Sequence, residues 1–134
     1  MHLLIADDEA ALAAIVARVA KKAGWQTTTA ESAAALEQAL EAGHPDALVL
    51  DLQLGSVSGA ALLRILALAG FRGPVALISG NDERSLQTAH DQGQALGLAV
   101  GAALQKPFGV GELKRVQTAG KSVSNHRGRV GRRH

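Results

Sequence analysis

Three acidic residues stand where short apolar runs of the chain end. Asp7 and Asp8 follow the run His2 to Ala6, and Asp51 follows the run Ala47 to Leu50. Apolar runs of this length are typical of strands buried on both faces of a parallel sheet. Ligands of such sheets bind beyond the carboxyl ends of the strands, so these three carboxylates are placed for chemistry.

Two later apolar runs end in polar residues of a different kind. Ser79 follows the run Val75 to Ile78, and Lys106 closes the run that starts at Val100. Carboxylates gathered around one pocket repel each other, by on the order of 4 kcal/mol for a pair about 4 Å apart at an effective dielectric of about 20. A cation is therefore needed, and both Lys106 and a hard divalent ion such as Mg²⁺, which prefers oxygen ligands, are candidates.

Carboxylates, a hydroxyl group, an ammonium group and Mg²⁺ together suit one class of reaction. They match the oxygens of a transferring phosphoryl group, for which catalysis consists mainly of positioning and charge neutralisation. Asp51 would be the in-line nucleophile and would form an aspartyl phosphate. The competing interpretation of Asp7 and Asp8 is that they cap the helix that follows them, and the two roles are compatible.

The spacing of apolar residues predicts the fold that brings these groups together. Strand-like and helix-like segments alternate five times, which favours an α/β fold. We expect a three-layer α/β/α sandwich around a five-stranded parallel sheet, doubly wound in the strand order 2-1-3-4-5. The polar strand ends then gather at one edge of the sheet. The predicted strands are 2–6, 25–29, 47–50, 75–78 and 100–104.

Two details of the packing are predicted as well. The first helix has an apolar face in Leu12, Ile15, Val16 and Val19, and Trp25 is expected to be a half-buried aromatic residue of the second strand. Ser32 and Ser58 are expected to cap the second and third helices. Asn81 and Asp82 are expected to start the fourth helix, and a last short helix would carry Val110, Leu113 and Val116.

Composition excludes several kinds of protein. The 134 residues suffice for one domain with a mainly aliphatic core. The absence of Cys excludes a disulfide framework, thiol catalysis and Cys-ligated zinc. No apolar stretch approaches the roughly 18 residues of a membrane span, and the first apolar run is too short for a signal peptide. We therefore expect a soluble, cytoplasmic protein that does not contact a membrane.

Charge is distributed unevenly along the chain. Up to Val110 there are 7 basic and 11 acidic residues, whereas from Gly111 onward there are 7 basic residues and 1 acidic residue. Residues 120–134 lack apolar periodicity and are predicted to form a basic, disordered tail after a domain of residues 1–119. The Arg residues of the tail could neutralise nucleic-acid phosphates, but without aromatic residues or a recognition helix such binding would be nonspecific. We do not expect nucleic acid to be the main partner.

Five sequence elements in this order resemble the signature of receiver domains of two-component response regulators, over about residues 1 to 118. They are Asp7, Asp8, Asp51, Ser79 and Lys106-Pro107-Phe108. The resemblance implies a flavodoxin-like fold, with Asp51 accepting a phosphoryl group from a phosphohistidine of a sensor histidine kinase or a histidine phosphotransfer protein. It also implies that Ser79 hydrogen bonds to one phosphoryl oxygen and that Lys106 pairs with another.

The resemblance further implies a magnesium site. Asp8, Asp51 and the backbone carbonyl of Gln53 would bind Mg²⁺ directly, and Asp7 would hold it through a water molecule. The chain departs from the family pattern at Ala103, where Tyr or Phe is common, and at Gly55, where Pro is frequent. The segment from Ser79 to Lys106 is also longer than is common in the family.

We therefore predict a stand-alone receiver that is a phosphoacceptor rather than a turnover enzyme, and that signals to a partner protein through a change of its surface. A homodimer through the face of helix 4, strand 5 and helix 5 is a further expectation. Three alternatives stay open. The chain could be a binding module that acts without phosphorylation, which the missing ring at Ala103 allows. It could also bind nucleic acid through its tail, or be a Mg²⁺-dependent phosphatase that uses the same acids.

Overall fold

The computed structural model of the chain describes residues 1–80 and 83–105. Within these ranges five strands form one parallel sheet in the order β2-β1-β3-β4-β5, and a helix follows each of the first four strands. The elements are β1 (His2–Ala6), α1 (Ala10–Lys22), β2 (Gln26–Ala30), α2 (Ala33–Ala42), β3 (Ala47–Asp51), α3 (Gly59–Leu68), β4 (Pro74–Ser79), α4 (Glu83–Ala95) and β5 (Ala99–Gln105). The predicted α/β fold and strand order are confirmed.

Apolar side chains form two separate cores. Successive residues of a strand point to opposite faces of a sheet, so each strand contributes to both cores. One core joins the sheet to α2, α3 and α4 and includes Leu4, Leu36, Leu48, Leu50, Leu62, Leu66 and Leu86. The other joins it to α1 and includes Leu3, Ile5, Ala13, Val16, Val19, Ala20 and Val49. The sheet is therefore the middle layer of a three-layer sandwich.

The strand register sets which residues meet at the carboxyl edge of the sheet. Ala6 at the end of β1 is in register with Leu50 of β3, so the residues that follow them, Asp7 and Asp51, are at the same level. Asp51 is in register with Ile78 of β4. Ser79 therefore lies one residue beyond the level of Asp51, on the neighbouring strand.

Two serine residues begin helices as predicted. The Ser32 hydroxyl accepts a hydrogen bond from the backbone N–H of Ala35 at 3.1 Å, at the start of α2. The Ser58 hydroxyl accepts one from Ala61 at 3.2 Å, at the start of α3. Each bond satisfies one of the backbone donors that the first turn of a helix leaves without a partner, which is worth about 1 kcal/mol.

Two details of the α1 side differ from the sequence prediction. Ile15 is 40% exposed, because the buried face of α1 is centred on Val16, with the small Ala13 and Ala20 beside it. Trp25 precedes β2 instead of belonging to it, and it is buried rather than half-buried, at 4% exposed. Its backbone N–H donates to the carbonyl of Ala20, which turns the chain so that the indole ring packs into the α1 core.

The last strand contains an irregularity. Val75 of β4 is in register with Val100, but the next residue, Ala76, is in register with Ala102, so β5 has one extra residue at Gly101. Such a bulge leaves one residue of the strand without a partner in the ladder. The predicted start of helix 4 at Asn81 and Asp82, the last helix and the tail at 120–134 lie outside the described residues. Among the residues that are described, no helix is long and apolar enough to span a membrane.

Candidate functional site

Three carboxylates meet at the carboxyl edge of the sheet. Asp7 and Asp8 lie in the loop between β1 and α1, and Asp51 is the last residue of β3. Each offers an oxygen atom, and these three oxygens all lie within 4.8 Å of one another. Asp7 and Asp51 are buried, at 0% and 1% exposed, whereas Asp8 is exposed. The structure thus brings together the three acids that the sequence pattern predicts for one site.

Each carboxylate accepts a hydrogen bond from a backbone N–H at 2.9 Å. Asp7 Oδ1 accepts from Glu9, and Asp51 Oδ1 accepts from Gln53, in each case two residues further along the chain. Such local bonds are typical of Asx turns, which fix the orientation of the side chain on its own backbone. Hydrogen bonds to an ionised group are stronger than neutral ones, so these N–H groups stabilise and orient the carboxylates.

The third carboxylate is held from another loop. Asp8 Oδ2 accepts a hydrogen bond from the N–H of Gly55, which is 47 positions away, in the loop between β3 and α3. Gly55 has φ of +62°, in the left-handed region that favours glycine. Pro, which is frequent at this position in the family that the sequence resembles, would have no N–H to donate.

The electrostatics of this edge favour a cation. Two unit charges 4.8 Å apart repel by roughly 3.5 kcal/mol at an effective dielectric of about 20. Two of the three carboxylates are also removed from bulk water, which would otherwise screen them. Three convergent carboxylate oxygens are a donor set that fits a hard divalent ion, so Asp7, Asp8 and Asp51 could hold a metal ion.

A second connection joins the loops on either side of Asp51. Ser79 is the last residue of β4 and is fully buried. The next residue, Gly80, donates its backbone N–H to the side-chain Oε1 of Gln53, at 3.3 Å. The loop after β3 is thereby linked to the loop after β4, directly beside Asp51. The sequence pattern predicts a role for the backbone carbonyl of Gln53, but it does not predict this side-chain contact.

One predicted site residue is outside the part of the chain that the structure describes. Lys106 directly follows Gln105, which is in register with Ser79. Its role as the ammonium group of the site stays a prediction. Ala103 lies in β5 in register with Leu77, and the consequence of the missing aromatic ring also stays a prediction.

Comparison with known families decides the identity of this arrangement. The model of the response regulator receiver domain matches residues 3–117. The chain belongs to this family. Phosphorylation-based signalling is therefore its expected function, and receiver domains interact with histidine kinases and with downstream effectors. Members of the family are phosphoacceptors and not enzymes in the usual sense.

Curated relatives support the same family. The receiver is 33% identical over 123 residues to the alkaline phosphatase synthesis transcriptional regulatory protein SphR of Synechococcus elongatus, over 84% of this chain and 45% of the relative. It is 32% identical over 115 residues to the transcriptional regulatory protein BasR of Escherichia coli, over 84% of this chain and 49% of the relative. The chain thus spans about half the length of the curated relatives it matches.

Solved structures agree with the fold. The receiver domain of NtrX from Brucella abortus is 26% identical, with a TM-score of 0.76, over 90% of this chain and 98% of that one. The receiver domain of the Francisella response regulator 1452 has a TM-score of 0.75 at 24% identity, over 91% of this chain and 98% of that one. The second likeness concerns the fold alone.

Proposed function

We propose that Asp51 accepts a phosphoryl group from a phosphohistidine and that the phosphorylated receiver signals to a partner protein. The observation that carries this proposal is the position of Asp51. Its carboxylate ends the central strand, is 1% exposed, and has an oxygen within 4.8 Å of those of Asp7 and Asp8. Family membership supports the same assignment.

In this reaction a phosphoryl group moves from an imidazole nitrogen of the donor to a carboxylate oxygen of Asp51. An oxygen of Asp51 attacks phosphorus in line, the P–N bond of the phosphohistidine breaks, and the imidazole leaves with the electron pair of that bond. The product is an aspartyl phosphate. The hydrogen bond from Gln53 N–H to Asp51 Oδ1 holds the nucleophile in one orientation, which reduces the entropic cost of reaching the transition state.

Asp7, Asp8, Asp51 and the backbone carbonyl of Gln53 are the residues we propose to hold Mg²⁺. The ion would neutralise charge on the phosphoryl oxygens during transfer. The convergence of three carboxylate oxygens within 4.8 Å supports this assignment. Without a cation the same three charges would oppose the approach of a phosphoryl group, which is itself an anion.

The remaining groups would receive the phosphoryl oxygens. Ser79 would donate its hydroxyl to one of them and Lys106 would pair with another. A phosphoryl group adds about −1.5 to −2 charges and three acceptor oxygens at Asp51. Because Ser79 leads into the loop before α4, a shift of this residue toward the phosphoryl group would alter the surface around α4 and β5.

The partners follow from this chemistry. The phosphodonor would be a sensor histidine kinase or a histidine phosphotransfer protein, and the target would be a protein that binds the altered surface. We also propose a homodimer through α4, β5 and the predicted last helix as part of the same function.

Intact mass spectrometry with acetyl phosphate and Mg²⁺ tests the proposal. We expect one phosphate adduct on the unaltered chain and none on Asp51→Asn. Asp91→Asn is the matched control, because Asp91 is an exposed acid of α4 whose side chain is 68% exposed, and it should form the adduct normally. Mg²⁺ binding without an adduct would contradict phosphorylation and favour a module that acts without it. If neither Mg²⁺ binding nor an adduct is found, the site assignment is wrong.

A further inference from the structure

The three carboxylates of the proposed magnesium site are not held in the same way. Asp7 and Asp51 are buried and accept N–H groups from their own loops. Asp8 is exposed, and it accepts an N–H from Gly55 in the loop between β3 and α3. An exposed carboxylate on a two-torsion side chain samples several rotamers unless a partner selects one. The partner of Asp8 belongs to a different loop, so its position depends on the conformation of that loop.

The loop presents the Gly55 N–H for structural reasons that the chain itself supplies. Leu52 and Leu54 are buried, at 9% and 0% exposed, and they anchor the first half of the loop in the core. The Gly55 nitrogen belongs to the peptide group that follows Leu54, so burial of Leu54 restricts where this N–H lies, and the left-handed φ of Gly55 keeps the rest of the loop compatible with that position. The left-handed conformation of Gly55 then turns the chain back toward Ser58 and α3.

We propose that Gly55 is a positioning residue for the divalent cation: its N–H holds Asp8 in the orientation that binds Mg²⁺ and so couples the metal site to the loop between β3 and α3. This inference rests on the proposed function, in which Asp8 is a metal ligand. Asp8 can bind a metal ion while it accepts this N–H, because an ionised carboxylate has about four acceptor positions.

The coupling between Gly55 and the metal site has an expected magnitude, and it acts in both directions. Asp8 is exposed, so water can partly replace a lost donor, and losing this hydrogen bond is expected to weaken Mg²⁺ binding by about five- to tenfold, the range of an ordinary hydrogen bond. By thermodynamic linkage, Mg²⁺ must strengthen the bond between Gly55 and Asp8 by the same factor. Exchange of the Gly55 amide hydrogen with solvent should therefore slow when Mg²⁺ binds.

Gly55→Ala and Gly70→Ala are a matched pair for the test. Both glycines have left-handed φ values, +62° and +74°, and at both a Cβ would meet nothing within 4 Å. Each substitution therefore strains the backbone by torsion alone. Gly70 follows α3 and precedes β4, at the amino end of that strand and away from the carboxylates. The Kd for Mg²⁺ is measured from backbone amide shifts in NMR titrations, and amide exchange rates are measured on the same samples.

Alanine keeps the backbone N–H but disfavours the left-handed φ, so we expect Gly55→Ala to displace the loop from Asp8 and raise the Kd for Mg²⁺ by up to about five- to tenfold, whereas Gly70→Ala should leave it within about twofold. Asp8→Ala, which leaves the loop sequence unaltered, should accelerate Gly55 amide exchange by a similar factor in the absence of metal. If Gly55→Ala does not fold, the Gly55 amide exchange rate in Asp8→Ala tests the coupling by itself. Equal Kd values for the two glycine variants, or Gly55 exchange that is unchanged in Asp8→Ala, would overturn the coupling while leaving the magnesium site intact. An unaltered chain that binds no Mg²⁺ would overturn the magnesium site of the proposed function, and this inference with it.

Discussion

Replacing Asp51 with Asn should stabilise the metal-free receiver. The substitution is nearly isosteric, and the Asn oxygen can still accept the hydrogen bond from Gln53 N–H. It removes one member of the buried Asp7–Asp51 pair, whose closest oxygens lie within 4.8 Å and which repels by roughly 3.5 kcal/mol at an effective dielectric of about 20. Asp8 adds little to this repulsion, because its side chain is exposed and its charge is screened.

The net gain should be smaller than the full repulsion. The N–H groups that face Asp7 and Asp51 already offset part of the negative charge, so we expect the free energy of unfolding to rise by about 2 kcal/mol. For a domain of this size that corresponds to an increase in Tm of roughly 6–10 °C. With excess Mg²⁺ the order should reverse: at 100 times its Kd the ion stabilises the unaltered chain by about 2.7 kcal/mol, whereas it should add little to the variant.

Thermal and urea unfolding in EDTA and in Mg²⁺ measure these differences. Asp91→Asn is the control, because it also removes one negative charge but does so on the exposed side of α4. A Tm for Asp51→Asn at or below that of the unaltered chain in EDTA would refute the reasoning, since it would mean that the Asp51 charge is already compensated in the folded state. An equal response of both chains to Mg²⁺ would refute the role of Asp51 as a ligand.

Three further predictions concern packing and the loops. Leu54→Ala should lower the free energy of unfolding by about 2–5 kcal/mol in urea titrations, because Leu54 is fully buried. An effect below about 1 kcal/mol would contradict its role as the anchor of the loop between β3 and α3. Gly93→Ala should destabilise by about 1–3 kcal/mol in the same assay, because its Cβ would lie 2.6 Å from Val100 Cγ2; an unchanged midpoint would show that α4 and β5 separate easily. Ser58→Ala should lower the free energy of unfolding by about 1 kcal/mol through loss of the α3 cap. Substitution of the exposed Ser56 with Ala should lower it by less than about 0.5 kcal/mol, and equal effects would contradict the capping assignment.

The strand ends and their order could be predicted because the signals are local. A buried parallel strand is an uninterrupted apolar run, and its first polar residue marks the edge of the sheet. Asp7 and Asp51 could be found in this way, and the alternation of strands and helices was enough to place them on neighbouring strands. The caps at Ser32 and Ser58 were also local, since each depends on a hydroxyl group three residues before its donor.

The contacts between loops could not be predicted because they depend on where separate loops end up in space. The hydrogen bond from Gly55 to Asp8 spans 47 positions, and the one from Gly80 to Gln53 spans 27. Neither has a spacing that a periodic pattern would reveal. The exposure of Ile15 was missed for a related reason. Apolar periodicity predicts that a helix has a buried face, but small residues such as Ala13 and Ala20 can form part of that face, so the bulkiest side chains do not locate it.

The most direct test of the central claim is to locate the phosphoryl group on the chain. After incubation with acetyl phosphate and Mg²⁺, borohydride reduction converts an aspartyl phosphate to homoserine, and peptide mass spectrometry identifies the modified position. We expect homoserine at position 51 alone, formed with Mg²⁺ and absent in EDTA. Modification at Asp46 or Asp91 instead, or modification at Asp51 that is equally efficient in EDTA, would contradict the proposal that Asp51 is a metal-dependent phosphoacceptor.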